Sequence, residues 1–148
     1  MKRAAVLLSA ILLSACTQLS AEKVERVITL RGPGERQVEV SVEIVESSED
    51  IENGLMFREG LANGHGMLFR FDPPREEAFW MKNVSFPLDV IFFDAGNEFE
   101  SVQTMVPCTD PCPIYRSIGP IRAALEVPAG FTAANGIRPG WKIEEPID

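Results

Sequence analysis

The sequence predicts a mainly β, single-domain fold: a β-sandwich or closed barrel-like sheet with two short helices at its edges. Three observations carry this reading. "QVEVSVEIVE" (Gln37 to Glu46) alternates, with Val38, Val40, Val42 and Ile44 on one face and Glu39, Ser41 and Glu43 on the other, and "IRAALEV" (Ile121 to Val127) alternates again. Glycine and proline turns interrupt the chain at short intervals between such runs, with no internal repeat and no low-complexity tract.

The first segment is read as a targeting signal rather than as part of the fold. Met1-Lys2-Arg3 is charged, Ala4 to Leu13 is apolar, and Leu13-Ser14-Ala15-Cys16 follows at once. This is the layout of a bacterial export signal, too short to span a membrane as a mature helix. The same four residues fit a lipobox, in which Cys16 is acylated and becomes the mature N-terminus. The expected organisation is a signal peptide over 1–15, a lipidated start and tether over 16–23, and a β-rich domain over 24–148. Thr17, not aspartate, follows the cysteine, which favours the periplasmic face of the outer membrane over retention at the inner one. The alternative is an ordinary secretory signal cut near Ala21, leaving a soluble periplasmic or secreted protein.

Removing residues 1–15 takes away two of the 14 basic side chains and leaves 12 against 22 acidic ones, a formal charge of −10. That balance argues against nucleic acid as a partner and against adhesion to anionic lipid by charge. The expected membrane contact is the lipid on Cys16. The 133 residues that remain suit one domain with one core, and a hydrophobic content of 45% over the chain excludes disorder as the source of the acidity.

The elements follow in order. Val24 to Leu30 is the expected hairpin partner of the first alternating run, across Gly32-Pro33-Gly34. In "SSEDIENGLMFREGL" the alternation breaks; Ser47 or Ser48 can cap a helix, acidic residues suit its first turn, and Gly60 is the expected stop. "GMLFRF" is a strand closed by Asp72-Pro73-Pro74. "AFWMKN" and "DVIFFD" are strands on either side of Pro87, and the second turns at "DAGN" into Glu98 to Val106. "AGFTAANGIRPG" holds a short helix ended by Gly136, and "WKIEE" closes the domain.

Cys108 and Cys112, in "PCTDPCP", are left as a pair in an oxidising compartment, and Asp110-Pro111 can turn the chain back on itself. A disulfide is the leading expectation. Free thiols and a metal site are the rivals, although zinc would need two more ligands and His65, the one histidine, has no partner at ligand spacing. Met56, Met67, Met81 and Met105 are scattered among apolar residues, as core-filling methionines are, rather than grouped for copper. No cofactor or metal is expected.

The polar candidates lie around "AFWMKNVSFPLD" (Ala78 to Asp89). Period two places Phe79, Met81 and Asn83 on one face, with Trp80 and Lys82 together on the other. An ammonium beside an indole can hold a small ligand; equally, Lys82 can reach past Trp80 to water. Asp89 enters the most apolar strand, so it lies at the sheet rim or is buried with a partner, for which Lys82, Arg58 and Arg122 are the candidates. Glu126, among apolar neighbours, invites the same argument. The candidate constellation is Arg58, Trp80, Lys82, Asn83, Asp89, Arg122 and Glu126, serving either a ligand or a structural ion-pair network.

"GLMFRE", "GMLFRF", "FWMKNVSFPLDVIFFD", "PCTDPCPIY" and "ALEVPAGFTAANGIRPG" occur in this order. Over roughly Val38 to Ile143 they resemble the family called domain of unknown function 192. The resemblance implies a compact, mainly β domain, often exported, and carries no established activity, cofactor or catalytic residue. Arg58, Lys82, Asn83, Asp89 and Glu126 fall within its motifs; Arg122 lies just before one. The functional expectation is an envelope-anchored lipoprotein domain that binds a small or extended polar or anionic ligand. The alternatives are a hydrolase-like enzyme using Asp89 or Glu126 with Lys82, and a scaffold for a protein partner whose identity the residues do not reveal.

Overall fold

The computed structural model describes residues 25–144. The export signal, Cys16 and the tether lie outside the described residues. Nine strands and two short helices follow one another as β1 (Glu25–Arg31), β2 (Gln37–Val45), α1 (Ser48–Asn53), β3 (His65–Arg75), β4 (Ala78–Phe79), β5 (Leu88–Asp94), β6 (Phe99–Met105), β7 (Tyr115–Arg116), β8 (Ile121–Pro128), α2 (Phe131–Asn135) and β9 (Lys142–Glu144). Seven strands form one sheet in the order β6-β5-β8-β3-β2-β1-β9, and β4 pairs with β7 in a separate ribbon. The sheet curls until its two edges meet. Glu98 and Lys142 form a bridge, the Phe99 amide donates to the Trp141 carbonyl at 2.8 Å, and the Ile143 amide donates to the Asn97 carbonyl at 2.9 Å. The expected mainly β, barrel-like domain with two short helices is therefore what the chain forms.

Each face of the curled sheet carries its own apolar cluster. Inside lie Ile28, Leu30, Val40, Val42, Leu68, Ile91, Leu125 and Val127, closed off by Trp141 and Ile143. Outside, Val45, Met67, Phe69, Leu88, Val90, Phe92 and Met105 lie beneath Leu55, Phe79, Met81 and Val84, which the helix and ribbon regions supply. Strand β5, LDVIFFD, between β6 and β8, is buried along nearly its whole length because both of its faces are covered. This is why its composition lacks the alternation seen in β2.

Several local expectations are corrected. β2 pairs antiparallel with β1 but parallel with β3, so the sheet is mixed. The Ser47 hydroxyl caps α1 by accepting from the Asp50 amide, but the helix stops at Asn53, where Gly54 has φ of 46°, and not at Gly60. β3 runs on through Asp72-Pro73-Pro74 to Arg75, with a register shift against β8 that absorbs the prolines. "AFWMKN" is a strand only over Ala78–Phe79. Residues 81–84 turn instead, with the Val84 amide bonded to the Met81 carbonyl. His65 opens β3 beside Glu25. In β8 the same irregularity moves Ile121 to the outer cluster, away from Ala123, Leu125 and Val127. Cys108 and Cys112 are joined by a disulfide, with Cα atoms 5.4 Å apart, which removes the free-thiol and metal readings.

Candidate functional site

Two loops dock on each other over the outer face of the sheet. After Gly54 the chain drops Leu55 into the core, at 2% exposure, and turns at Phe57, whose φ is 63°. The Phe57 amide donates to the carbonyl of Asn83 at 2.8 Å, and Asn83 itself has φ of 58°. Asparagine is among the non-glycine residues that tolerate this left-handed geometry. The Asn83 amide side chain also lies against the Met56 sulfur at 3.9 Å. The left-handed turn ends the period-two pattern: Phe79 and Met81 are buried as expected, whereas Asn83 swings to the exposed side.

Between these loops and the sheet is a cavity of about 220 Å³. Leu55, Met56, Phe69, Phe79 and Val84 supply apolar walls, and the half-exposed ring of Trp80 stands beside them. Phe69 and Phe79 meet edge to face at 5.0 Å, which fixes the inner wall. Glu126 reaches the cavity from β8 and is 5% exposed. Its carboxyl has no hydrogen-bond or ion-pair partner among the described residues, and burial pushes it up to about 8 from 4.5. At neutral pH it is mainly the uncharged acid, able to donate one hydrogen bond and accept others. The other carboxylates lining the cavity are Glu52 and Glu77, and Glu77 is held by Arg75. No serine, cysteine, histidine or lysine lines it.

The seven candidate residues divide into three places. Glu126 and Trp80 line the cavity, while Lys82, Asn83 and Arg58 belong to the loops around it. The Lys82 ammonium sits 5.2 Å from the centre of the Trp80 ring, in the proposed pairing. The Arg58 guanidinium is engaged by Glu43: Nη2 donates to Oε2 at 2.8 Å and Nη1 makes a second, short bond to Oε1. Glu43 shares a cross-strand row with Met67 and Glu126, so the ion pair and Glu126 lie on one face. Two strand spacings put their backbones about 10 Å apart. With Arg58 on Glu43 and Lys82 on Trp80, no cluster of unpaired cations forms to select an anion there.

Asp89 is elsewhere. It pairs across β5 and β8 with Val127, an inner-face residue, and is 1% exposed. Its carboxylate accepts from Thr104 Oγ1 at 2.8 Å, the Gly130 and Thr132 amides at 3.1 Å each, and Thr132 Oγ1 at 2.6 Å. None of the expected cations reaches it. The Thr104 hydroxyl of β6, with the Thr132 hydroxyl and two amides at the start of α2, satisfies it instead, so it holds that helix to the sheet. Arg122 donates from Nε to the Ala95 carbonyl at 3.2 Å and lies 3.9 Å from Asp72. It lines a separate polar cleft of about 540 Å³ with Arg70 and Arg75. The sequence reading did not single out Leu55, Met56, Phe69, Glu52 or Glu77 as cavity residues. Only the "GLMFRE" motif, which holds Leu55 and Met56, pointed towards that wall.

The comparisons agree with this architecture. The model of the family described as "Uncharacterized ACR", domain of unknown function 192, matches residues 28–145. A crystal structure from Sinorhizobium meliloti 1021, provisionally described as a transcription regulator, is 31% identical, with a TM-score of 0.77 over 83% of this chain and 95% of that one. A protein of unknown function from Novosphingobium aromaticivorans DSM 12444 is 32% identical, with a TM-score of 0.75 over 81% of this chain and 84% of that one. No curated protein matches the sequence. The family match spans nearly all of the described domain and the solved relatives share its fold. The chain belongs to the domain of unknown function 192 family.

Proposed function

We propose that the protein is an exported envelope domain, tethered by lipid on Cys16 at the periplasmic face of the outer membrane, that binds a small ligand in the cavity over Glu126. The observation that carries the reading is Glu126 itself. Burying a carboxyl with no partner is unfavourable, and folds ordinarily satisfy such a group or replace it. Asp89, on the neighbouring strand, shows what a satisfied carboxylate looks like in this domain. The unpartnered buried acid, apolar walls and an accessible indole are the parts of a small recognition site. At about 220 Å³ the cavity is smaller than the roughly 300–1,000 Å³ of drug-sized sites, so it suits a compact molecule or one group of a larger one. The regulator description of the Sinorhizobium relative finds no support in this chain's charge, −8 over its whole length.

The hydrolase-like alternative retains only part of its machinery. Glu126 can exchange a proton near neutral pH, but Asp89 is committed to α2 and Lys82 lies over Trp80. Binding is therefore the favoured function. A ligand-observed NMR screen of small neutral, cationic and anionic aromatic compounds tests it. Ala78, exposed and lining the cavity, is the place to obstruct it. Compounds that bind the parent protein and lose binding in a folded Ala78→Trp variant support the site. A screen without binders, or binders indifferent to Ala78→Trp, refutes it.

A further inference from the structure

The charge of the ligand can be read from what surrounds the cavity. We infer that the cavity receives the protonated nitrogen of a small organic amine or amidine, seated against Glu126 with its apolar part between Phe79, Leu55 and Met56. This inference rests on the cavity being a ligand site and adds the chemical class that fills it.

The charged groups facing Glu126 can be named element by element. Glu52 comes from α1, and Glu77 precedes β4. Glu43 of β2 lies two strands away on the same face, already paired with Arg58. Lys82 is held over Trp80, and Arg75 is held by Glu77. Every charged side chain lining the cavity is thus acidic, while Lys82, on the Trp80 ring at the rim, is the nearby cation without an acidic partner among the described residues. An anionic head placed beside Glu126 would meet three carboxyl groups, with Lys82 outside the lining as its one offset. A cationic head would acquire the ion pair that Glu126 lacks, in surroundings where a paired charge is far better than a solitary one.

The aromatic wall adds little to the choice of sign. Trp80 is 42% exposed, and its ring already carries the Lys82 ammonium at 5.2 Å, whose charge opposes a second cation there. The acidic lining sets the preference. A metal cation does not fit as well, because among the described residues no three acidic, histidine or cysteine side chains are grouped to hold one. Apolar walls beside an acidic lining call instead for an organic cation with its own hydrophobic body.

Binding is then coupled to a proton. The uncharged Glu126 carboxyl gives its proton to the buffer as the incoming ammonium takes its place, leaving a carboxylate–ammonium pair. Affinity should rise as pH increases through the range in which the free carboxyl is protonated, while the ligand nitrogen stays charged.

Benzylamine, benzyl alcohol and benzoate are probes of similar size that differ in charge. They can be titrated into the protein by calorimetry at pH 6 and pH 8, in two buffers of different ionisation enthalpy. Benzylammonium should bind at least tenfold more tightly than the other two at pH 8. Its affinity should increase at least tenfold from pH 6, with net proton release. Glu126→Gln should erase the preference for the amine and the proton release, in a variant whose melting temperature shows it folded. If the alcohol or benzoate binds as well as the amine and Ala78→Trp still abolishes binding, the cation is refuted and the cavity survives. If none of the three binds, the amine inference is refuted, and the wider screen decides the fate of the cavity.

Discussion

Asp89 and Glu126 are buried carboxylates on adjacent hydrogen-bonded strands, yet they point to opposite faces of the same sheet. Asp89 is in register with Val127, not with Glu126, and Glu126 is in register with Val90. One residue of offset separates a carboxylate with four hydrogen bonds from one with none. Their physical roles are correspondingly opposite.

Glu126 should make the protein less stable as pH rises. The folded state holds its proton up to about pH 8, whereas the unfolded state releases it near 4.5. Between these values the folded state binds more protons, so its contribution is present below about pH 4.5 and lost as pH climbs through 8. The loss can reach roughly 1.4 kcal/mol per pH unit traversed. Urea denaturation at pH 5.5 and pH 8.5 should show this slope in the parent and a flatter one in Glu126→Gln.

Asp89→Ala should behave differently. It strips partners from the Gly130 and Thr132 amides and from the Thr132 hydroxyl, all near the start of α2. Leaving the two buried Thr132 donors unsatisfied costs about 1–3 kcal/mol apiece, so a total loss of about 2 kcal/mol or more is expected. Chemical denaturation measures it. Any ligand found for the cavity should bind unchanged wherever the variant remains folded, because Asp89 lies on the far side of the sheet.

The Cys108–Cys112 bond closes a short loop, with the two residues four apart in sequence. Constraining a loop of that length is worth roughly 2 kcal/mol in the chain-entropy account. Replacing both cysteines by serine should lower the urea midpoint by a corresponding amount. The pH slope from Glu126 should persist, since neither cysteine lines its cavity.

Cys16→Ser tests the address independently of the fold. With the acylation site removed, the protein should move from the detergent-soluble membrane fraction to the soluble periplasmic fraction, or remain as an unprocessed precursor. Persistence of a mature, membrane-bound form would refute lipidation at this residue.

Much of the fold was legible in the residues. The alternation of Val38, Val40, Val42 and Ile44 marks one face of β2, and Ser47 and Gly136 mark helix ends, because each is a local property of a few neighbouring residues. Gly60 misled because Gly54 already supplies the left-handed residue that ends α1. "AFWMKN" misled because Asn83 turns the chain back only when the Phe57 amide is there to bond its carbonyl. Within the candidate site, Trp80 and Lys82 meet as expected although a turn rather than a strand holds them, and the pairing of Arg58 with Glu43 was not legible.

The sequence by itself determined the β-rich domain, the cysteine pair, the family and the expectation of an envelope address. Only the tertiary structure decided which polar residues share a space. Alternation says that neighbours in one strand face apart, but the register between strands, set by contacts far along the chain, decides which residues of different strands face together. That non-local parity put Asp89 against the start of α2 and left Glu126 facing a cavity with no hydrogen-bond or ion-pair partner among the described residues.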